Sequence, residues 1–313
     1  MNTSASDAKP AIIKTPSEMT AFSAAARKAG KTIGFVPTMG ALHDGHFSLM
    51  RQARRRNDVV VVSIFVNPTQ FAPNEDLSKY PRTFDQDVTG CGIAGVAAVF
   101  APGASDMYPP AADTFVCQER LTGVMCGASR PGHFRGVLTV CCKLFNIVQP
   151  HVAYFGQKDY QQAKVICRMA ANLFMPLQIE VCPTVREHDG LAMSSRNRYL
   201  GQDERRDALC LYESLKLAEQ MIRADAARAA DVSDAMKDLI RAAPSATIDY
   251  VAIADPETLE PIEHIDWNSG TERILVALAV KIGSTRLIDN MLIPRPDRPR
   301  PAGGRSCETG TKD

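Results

Sequence analysis

No apolar run in the 313 residues approaches the ~18 that a membrane-spanning helix needs. Met1 to Pro10 holds no apolar core of a signal peptide. Formal net charge is only +1, so no broad field of one sign points to nucleic acid or an acidic membrane. The Arg51, Arg54, Arg55, Arg56 cluster is short and reads as the solvated flank of a helix. These shortages predict a cytoplasmic protein and give no sign of a nucleic-acid or membrane partner. The nine cysteines include no Cys-x-x-Cys, and the six histidines fall at no zinc spacing. Most cysteines lie in apolar runs, as reduced core cysteines do, so neither disulfides nor a cysteine-bound metal is expected. No internal repeat is present.

What remains is an ordinary soluble composition, 45% hydrophobic and 23% charged, with enough chain for two domains. Thr15-Pro16-Ser17-Glu18 is a capping box with proline in the first turn, which predicts a helix running to Gly30. Thr32 to Val36 is β-branched and apolar and reads as a strand closed by Pro37. Val59 to Val66 (VVVVSIFV) is continuously apolar. A strand of that kind is covered on both faces, which implies a parallel sheet between helices. Further strands are expected at Ala11–Lys14, Ala97–Phe100, Thr114–Cys117, Ala153–Phe155 and Gln178–Val185. Helices are expected at Phe84–Ile93 and Val137–Val148, the latter after a Gly- and Arg-rich loop from Gly127 to Gly136. Arg130, His133 and Arg135 of that loop are candidates to flank a phosphate.

Three strand-end stretches carry chemistry. After the first core strand comes Pro37-Thr38-Met39-Gly40-Ala41-Leu42-His43-Asp44-Gly45-His46. Helical spacing of Phe47, Leu49, Met50 and Ala53 starts a helix near Asp44. His43 and His46 therefore sit together at a helix start, beside free backbone N–H groups and the positive end of the dipole. Val59–Val66 ends in Asn67-Pro68-Thr69-Gln70, two neutral amides at a strand end. Ligands of open α/β sheets lie beyond such ends. The third stretch, Gly156-Gln157-Lys158-Asp159-Tyr160-Gln161-Gln162, puts Lys158, Asp159 and Gln162 on one helical face. Beyond it, Met193-Ser194-Ser195-Arg196 lies in an irregular loop and reads as a mobile anion clamp. From Asp203 the pattern changes. A helical stripe at Leu211, Leu215, Ala218 and Ile222, another at Val232, Met236, Leu239 and Ile240, and strands at Ile248–Ile253 and Ile274–Val280 read as α+β, with no further polar strand ends. The expected division is a catalytic domain over 1–184, a smaller domain over 185–293 and a disordered tail over 294–313.

His-x-Gly-His after a strand is how the nucleotidylyltransferase superfamily marks its ATP site. The blocks Pro37–His46, Ser63–Phe71, Gly156–Gln162 and Val185–Leu200, with Tyr80–Thr83 and Gly283–Asn290, resemble the pantothenate synthetase (pantoate–β-alanine ligase) family. The likeness covers about residues 11 to 292. It implies a Rossmann-like N-terminal domain with a smaller α+β C-terminal one, and a homodimer. The implied reaction is ATP-dependent condensation of pantoate with β-alanine to pantothenate, AMP and pyrophosphate through pantoyl adenylate, with Mg²⁺. It sets ATP against Met39, Gly40, Ala41, Leu42, His43, Asp44, Gly45 and His46, and against Gly156, Gln157, Lys158 and Asp159. Val185, Met193, Ser194, Ser195 and Arg196 complete that set. It sets pantoate on Gln70 and Gln162 and β-alanine near Gln70, and makes His46 a proton donor. The expected catalytic groups are His46, His43 and Lys158. The metal ligands are open, with Asp87 a candidate beside Gln86. The rivals are a nucleotidylyltransferase acting on a phosphorylated acceptor and a non-catalytic nucleotide-binding protein. The first would want a basic acceptor pocket, where Asn67, Gln70 and Gln162 are neutral.

Overall fold

The computed structural model describes residues 9–296, apart from 74, 225–227 and 269. Its elements in order are β1 (Ala11–Ile13), α1 (Pro16–Lys28), β2 (Ile33–Thr38), α2 (Asp44–Arg56), β3 (Val59–Ile64), α3 (Phe84–Ile93) and β4 (Ala98–Phe100). Next come α4 (Ala104–Met107), α5 (Met125–Ser129), α6 (His133–Val148), β5 (Val152–Gly156), α7 (Tyr160–Asn172) and β6 (Gln178–Cys182). The remainder is α8 (Gln202–Asp207), α9 (Cys210–Arg223), α10 (Ala229–Arg241), β7 (Ala246–Ala254), β8 (Arg273–Ile282) and β9 (Thr285–Pro294).

Six strands form one parallel sheet in the order β1-β4-β3-β2-β5-β6. Alternate residues face opposite ways, and both ways are dry. Phe35, Val61 and Phe100 enter a core with Met19 of α1 and Leu138 of α6. Val36, Val60, Val62 and Val99 enter another with Met50 of α2 and Val88 of α3. The continuous apolar run at β3 is thereby explained: Val60, Val61 and Val62 are at most 1% exposed, and full burial contributes roughly 1.5–3 kcal/mol per such side chain. The chain leaves β2 toward β3 and β4 on one side, then returns through β5 and β6 on the other. The order therefore reverses between β2 and β5, and a crevice opens at their carboxyl ends.

A second, antiparallel sheet, β7-β8-β9, carries α9 and α10 on one face. Its other face joins the first core through Leu275, Ala277, Ile288 and Leu292. Sheet and helix class agree with the sequence reading.

Several local expectations change. Pro37 lies inside β2, opposite Ser63, and does not end it. The Ile33 carbonyl faces His151 next to β5, so Pro37 faces the same side, where pairing stops at Phe35 and its missing N–H breaks no rung. Thr114–Cys117 is not a strand, and the Val116 N–H donates to the Thr139 hydroxyl of α6. Helix α6 begins at His133, four residues before Val137, because Gly132 takes the left-handed conformation that turns the chain into it. The last parallel strand stops at Cys182, short of Val185. A third C-terminal strand, β9, was not anticipated. It runs to Pro294, and the Arg295 N–H bonds the Glu272 carbonyl, so the chain is ordered past 294. At the other end Pro10 is buried. Of the expected loose ends, residues 1–8 and 297–313 lie outside the described residues.

Candidate active site

At the carboxyl end of β2 the chain makes a tight turn. Gly40 and Ala41 both have positive φ, +81° and 52°. This geometry aims two successive N–H groups at one point, and Asp87 occupies it. Its Oδ2 accepts from Ala41 and its Oδ1 from Leu42, both at 2.9 Å, with Thr83 adding a hydroxyl at 3.1 Å. Asp87 is thus consumed as the buried buttress of the turn and does not face the cleft.

The turn feeds α2, whose start is capped by its own histidines. His43 Nδ1 accepts from the Gly45 N–H at 3.2 Å, and His46 Nδ1 accepts from the His43 N–H at 3.4 Å. The ring centroids are 4.1 Å apart. Gly45 is required here for a reason the spacing did not give: a Cβ on it would lie 2.9 Å from the His43 ring. With Nδ1 accepting, each neutral ring carries its proton on Nε2. Burial, then Lys158, hold the His43 pKa down at about 4 despite Asp159. Burial, then His43 and Lys158, take His46 down to about 3. Two neutral Nε2–H donors therefore stand at the helix start near neutral pH.

Across the crevice, β5 ends in a 3-10 turn, Gln157–Asp159, before α7. Lys158 and Asp159 ride on this turn, with Gln162 one turn on in the helix. All three line one cleft, although they do not form the single helical face expected. Among the described residues the Lys158 ammonium has no ion-pair partner. The cleft, of about 220 Å³, is also lined by Met39, His43, Gly45, His46, Gln70, Gly156, Val185 and Met193 to Arg196. Gly40, Ala41, Leu42, Asp44 and Gln157 do not line it. The first three form the turn behind it, Asp44 is exposed on the first turn of α2, and Gln157 faces the second sheet, its amide 3.4 Å from Asn290.

The Val185–Arg196 segment is more ordered than an irregular loop. Val185 and Met193 pair at 3.0 Å, Arg186 bridges Ala192, and the Ser194 hydroxyl caps a 3-10 turn from Ser195 to Tyr199. Gln70 is buried, its Oε1 accepting from Asn67 and its Nε2 donating to the Met39 sulfur. Behind it, His133 Nδ1 and Arg130 reach the Gln70 carbonyl at 2.9 and 3.4 Å. Arg130 also clamps Glu75 at 2.6 and 2.7 Å, and Arg135 stacks over Phe115. Arg130 and His133 thus hold the loop after Gln70 and line the second cavity, whereas Arg135 lies on Phe115.

Sequence reasoning missed Tyr80 as a wall residue; it is buried and lines the cleft with Ser195. It also missed an apolar wall of Phe65, Val137, Val140 and Leu144 beside Gln70. Its signal was the helical spacing of α6, which pattern alone assigns to core. A second cavity of about 820 Å³ shares Lys158, Asp159, Gln162, Ser194 and Arg196 with the first and opens between the two sheets. Among the described residues no group of three metal-ligating side chains converges.

A switch-point crevice with a histidine-capped helix start, a lysine and an arginine defines an α/β enzyme that handles nucleotide phosphates. Comparison with known proteins narrows the class. The family described as Pantoate-beta-alanine ligase matches residues 11–292. The pantothenate synthetase of Moorella thermoacetica is 56% identical over 282 residues, covering 90% of this chain and 98% of that protein. A crystal structure of pantothenate synthetase from Thermus thermophilus superposes with a TM-score of 0.83 at 43% identity, over 90% of this chain and 98% of the other. The Francisella tularensis pantoate-beta-alanine ligase, titled as complexed with beta-gamma ATP and beta-alanine, gives 0.74 at 35% identity over 90% and 97%. The chain belongs to the pantoate–β-alanine ligase family. It is an ATP-dependent ligase.

Proposed function

We infer that this chain joins pantoate to β-alanine in two steps within the one cleft, through a non-covalent pantoyl adenylate. In the first step a pantoate carboxylate oxygen attacks the α-phosphorus of ATP; a P–O bond forms and pyrophosphate leaves. In the second the β-alanine amine attacks the carbonyl carbon of the mixed anhydride, the C–O bond to AMP breaks, and the amine loses a proton.

The observation that carries the reading is the arrangement of charge. His43, His46 and Lys158 line the crevice together, where negative charge grows on the transferring phosphate. Two of these donors are neutral and one is cationic. The α2 N-terminus adds its dipole. The neutral amides of Gln70 and Gln162 line the same cleft and would hold pantoate without pairing its carboxylate to a cation and blunting it. The Phe65, Val137 and Val140 wall fits the two methyl groups of pantoate. Gln70 is also the amide nearest to an incoming β-alanine in this reading. Asp159 fits ribose hydroxyls, and Ser194, Ser195, Arg196, Val185 and Met193 close over the nucleotide.

Mg²⁺, where bound, supplies charge neutralisation at the phosphates. The side chains fit a metal brought by the nucleotide rather than one caged by protein: Asp87 is spent on backbone amides, and Asp159 is the carboxylate that lines the cleft. The division of the chain near 184–185 belongs to the same reading, since β6 closes at Cys182 and the second core starts at Leu191. So do a homodimer, which the family resemblance implies, and the cytoplasmic location expected from composition; a sedimentation mass of one chain would count against the dimer. A phosphorylated acceptor, as a nucleotidylyltransferase would use, is served less well, because the side chains beside the apolar wall are the neutral Asn67, Gln70 and Gln162 and Arg130 is paired with Glu75.

The test is steady-state AMP formation from ATP with pantoate and β-alanine supplied singly and together. Turnover is expected only with both. Equal AMP release without β-alanine would sink the reading.

A further inference from the structure

The turn that carries Lys158 is poorly held by its own residues. It is 3-10, whose hydrogen bonds are weaker than those of an α-helix. Neither the turn nor α7 behind it has a side-chain cap. Its support comes from the other sheet. The Asn290 amide nitrogen donates to two successive carbonyls, Gln157 and Lys158, both at 2.9 Å. Its oxygen lies 3.4 Å from Gln157 Nε2. Asn290 is 3% exposed.

Strand β9 is fixed on its opposite side by the preceding residue. Leu287, Met291 and Ile293 pack into the second core, whereas Ile288 and Leu292 pack against the first. Asp289 therefore faces one way and Asn290 the other. The buried Asp289 carboxylate takes Arg186 bidentately at 2.6 and 3.0 Å, and its Oδ1 also accepts the Asn290 N–H at 2.8 Å. Arg186 stacks on Tyr212 and sits at the base of the hairpin that presents Met193 to Arg196. Two adjacent residues of one strand thus bond two segments that both line the cleft.

We propose that Asn290 is a positioning residue for Lys158, setting the ammonium's place in the cleft through the backbone carbonyls of the Gln157–Asp159 turn, from a strand anchored by Asp289. The proposal rests on the reading of Lys158 as a phosphate-facing group. A displacement of about 1 Å at a transferring group lowers turnover as much as 10²-fold. Asn290→Ala is therefore expected to lower the rate of pantoate-dependent pyrophosphate–ATP exchange by roughly 10- to 10²-fold. The KM for β-alanine should stay unchanged.

A purely structural asparagine would be distinguished by a double-mutant cycle. If Asn290 acts through Lys158, adding Asn290→Ala to Lys158→Ala should cost less than about twofold more. Additive losses would overturn the proposal, as would normal exchange by folded Asn290→Ala. Asn290→Asp keeps the shape but turns oxygen toward both carbonyls, so it serves even where the alanine variant does not fold. It is expected to be as slow as the alanine variant, and wild-type exchange by it would also overturn the proposal. Absence of exchange in the unaltered chain would overturn the functional reading itself, and this inference with it.

Discussion

At the residue scale, each of the two histidines does two unlike things with one geometry. Each spends Nδ1 on a backbone N–H and keeps Nε2–H for the cleft. In the proposed reading, removing His46 deletes a donor that lines the cleft where the phosphate is transferred. We expect His46→Ala to lose on the order of 10²–10³ in turnover while retaining its fold; near-normal turnover in a folded variant would refute the role. Their titration gives a second expectation. Both rings start from 6.5 when unfolded and fall to about 4 and 3 when folded. As pH falls, the unfolded chain takes up these protons first. The stability they contribute is whole above about 6.5 and is lost progressively from there toward 3. Histidine Cε1–H resonances of the free enzyme should hold still for His43 and His46 between pH 8 and about 5, where an exposed imidazole titrates near 6.5. A midpoint near 6.5 for either would show a charged ring at the helix start. The pair was legible in the sequence because both residues lie in one short stretch. Asp87 was not, because its partners, Ala41 and Leu42, are backbone groups, and any residue type could have supplied them.

At the scale of elements, strands and helices with a single strong period were read correctly, and segments held by other parts of the chain were not. Helix α1 carries its own start signal in Thr15 and Glu18, whose reciprocal capping bonds are present. Strand β9 carries Asp289 and Asn290 on opposite faces, both buried, where a sheet edge with one wet face would alternate. Its pattern was therefore obscured by the very residues that reach the site. The loop after Gln70 belongs to the same scale. Its length and polarity, directly after Gln70, suit a lid over a reactive acyl adenylate, which needs shelter from water. In the structure its first half is tied by Glu75 to Arg130, and its second half brings Tyr80 against Ser195. Protease nicking within 72–83 is expected to slow when ATP and pantoate are both present. Glu75→Ala should raise nicking of the free enzyme severalfold, since it removes the bidentate clamp. Cleavage indifferent to both ligands would dispose of the lid.

At the scale of the whole molecule, the ends of the parallel strands carry His43, His46 and Lys158, the groups proposed to meet phosphate, and β9 of the second sheet bonds both the Lys158 turn and Arg186. The reversal of strand order between β2 and β5 is what brings His43 and Lys158, 115 positions apart in the chain, into one crevice. That arrangement also decides the order of chemistry. A free carboxylate resists attack by an amine because it would have to expel oxide. Adenylation replaces that leaving group with AMP and divides one hard step into two easier ones. An acyl-enzyme would need a nucleophile with an adjacent base. Cys141 lines the cleft, but burial pushes its thiol up to about 12, so it is not a thiolate near neutral pH. The intermediate should therefore stay unattached to protein, and its formation should not need β-alanine. Labelled pyrophosphate is expected to exchange into ATP with pantoate and Mg²⁺ alone, and not without pantoate. If exchange waited for β-alanine, or if labelled pantoate stayed on the chain after denaturation, the intermediate would be something other than a free pantoyl adenylate.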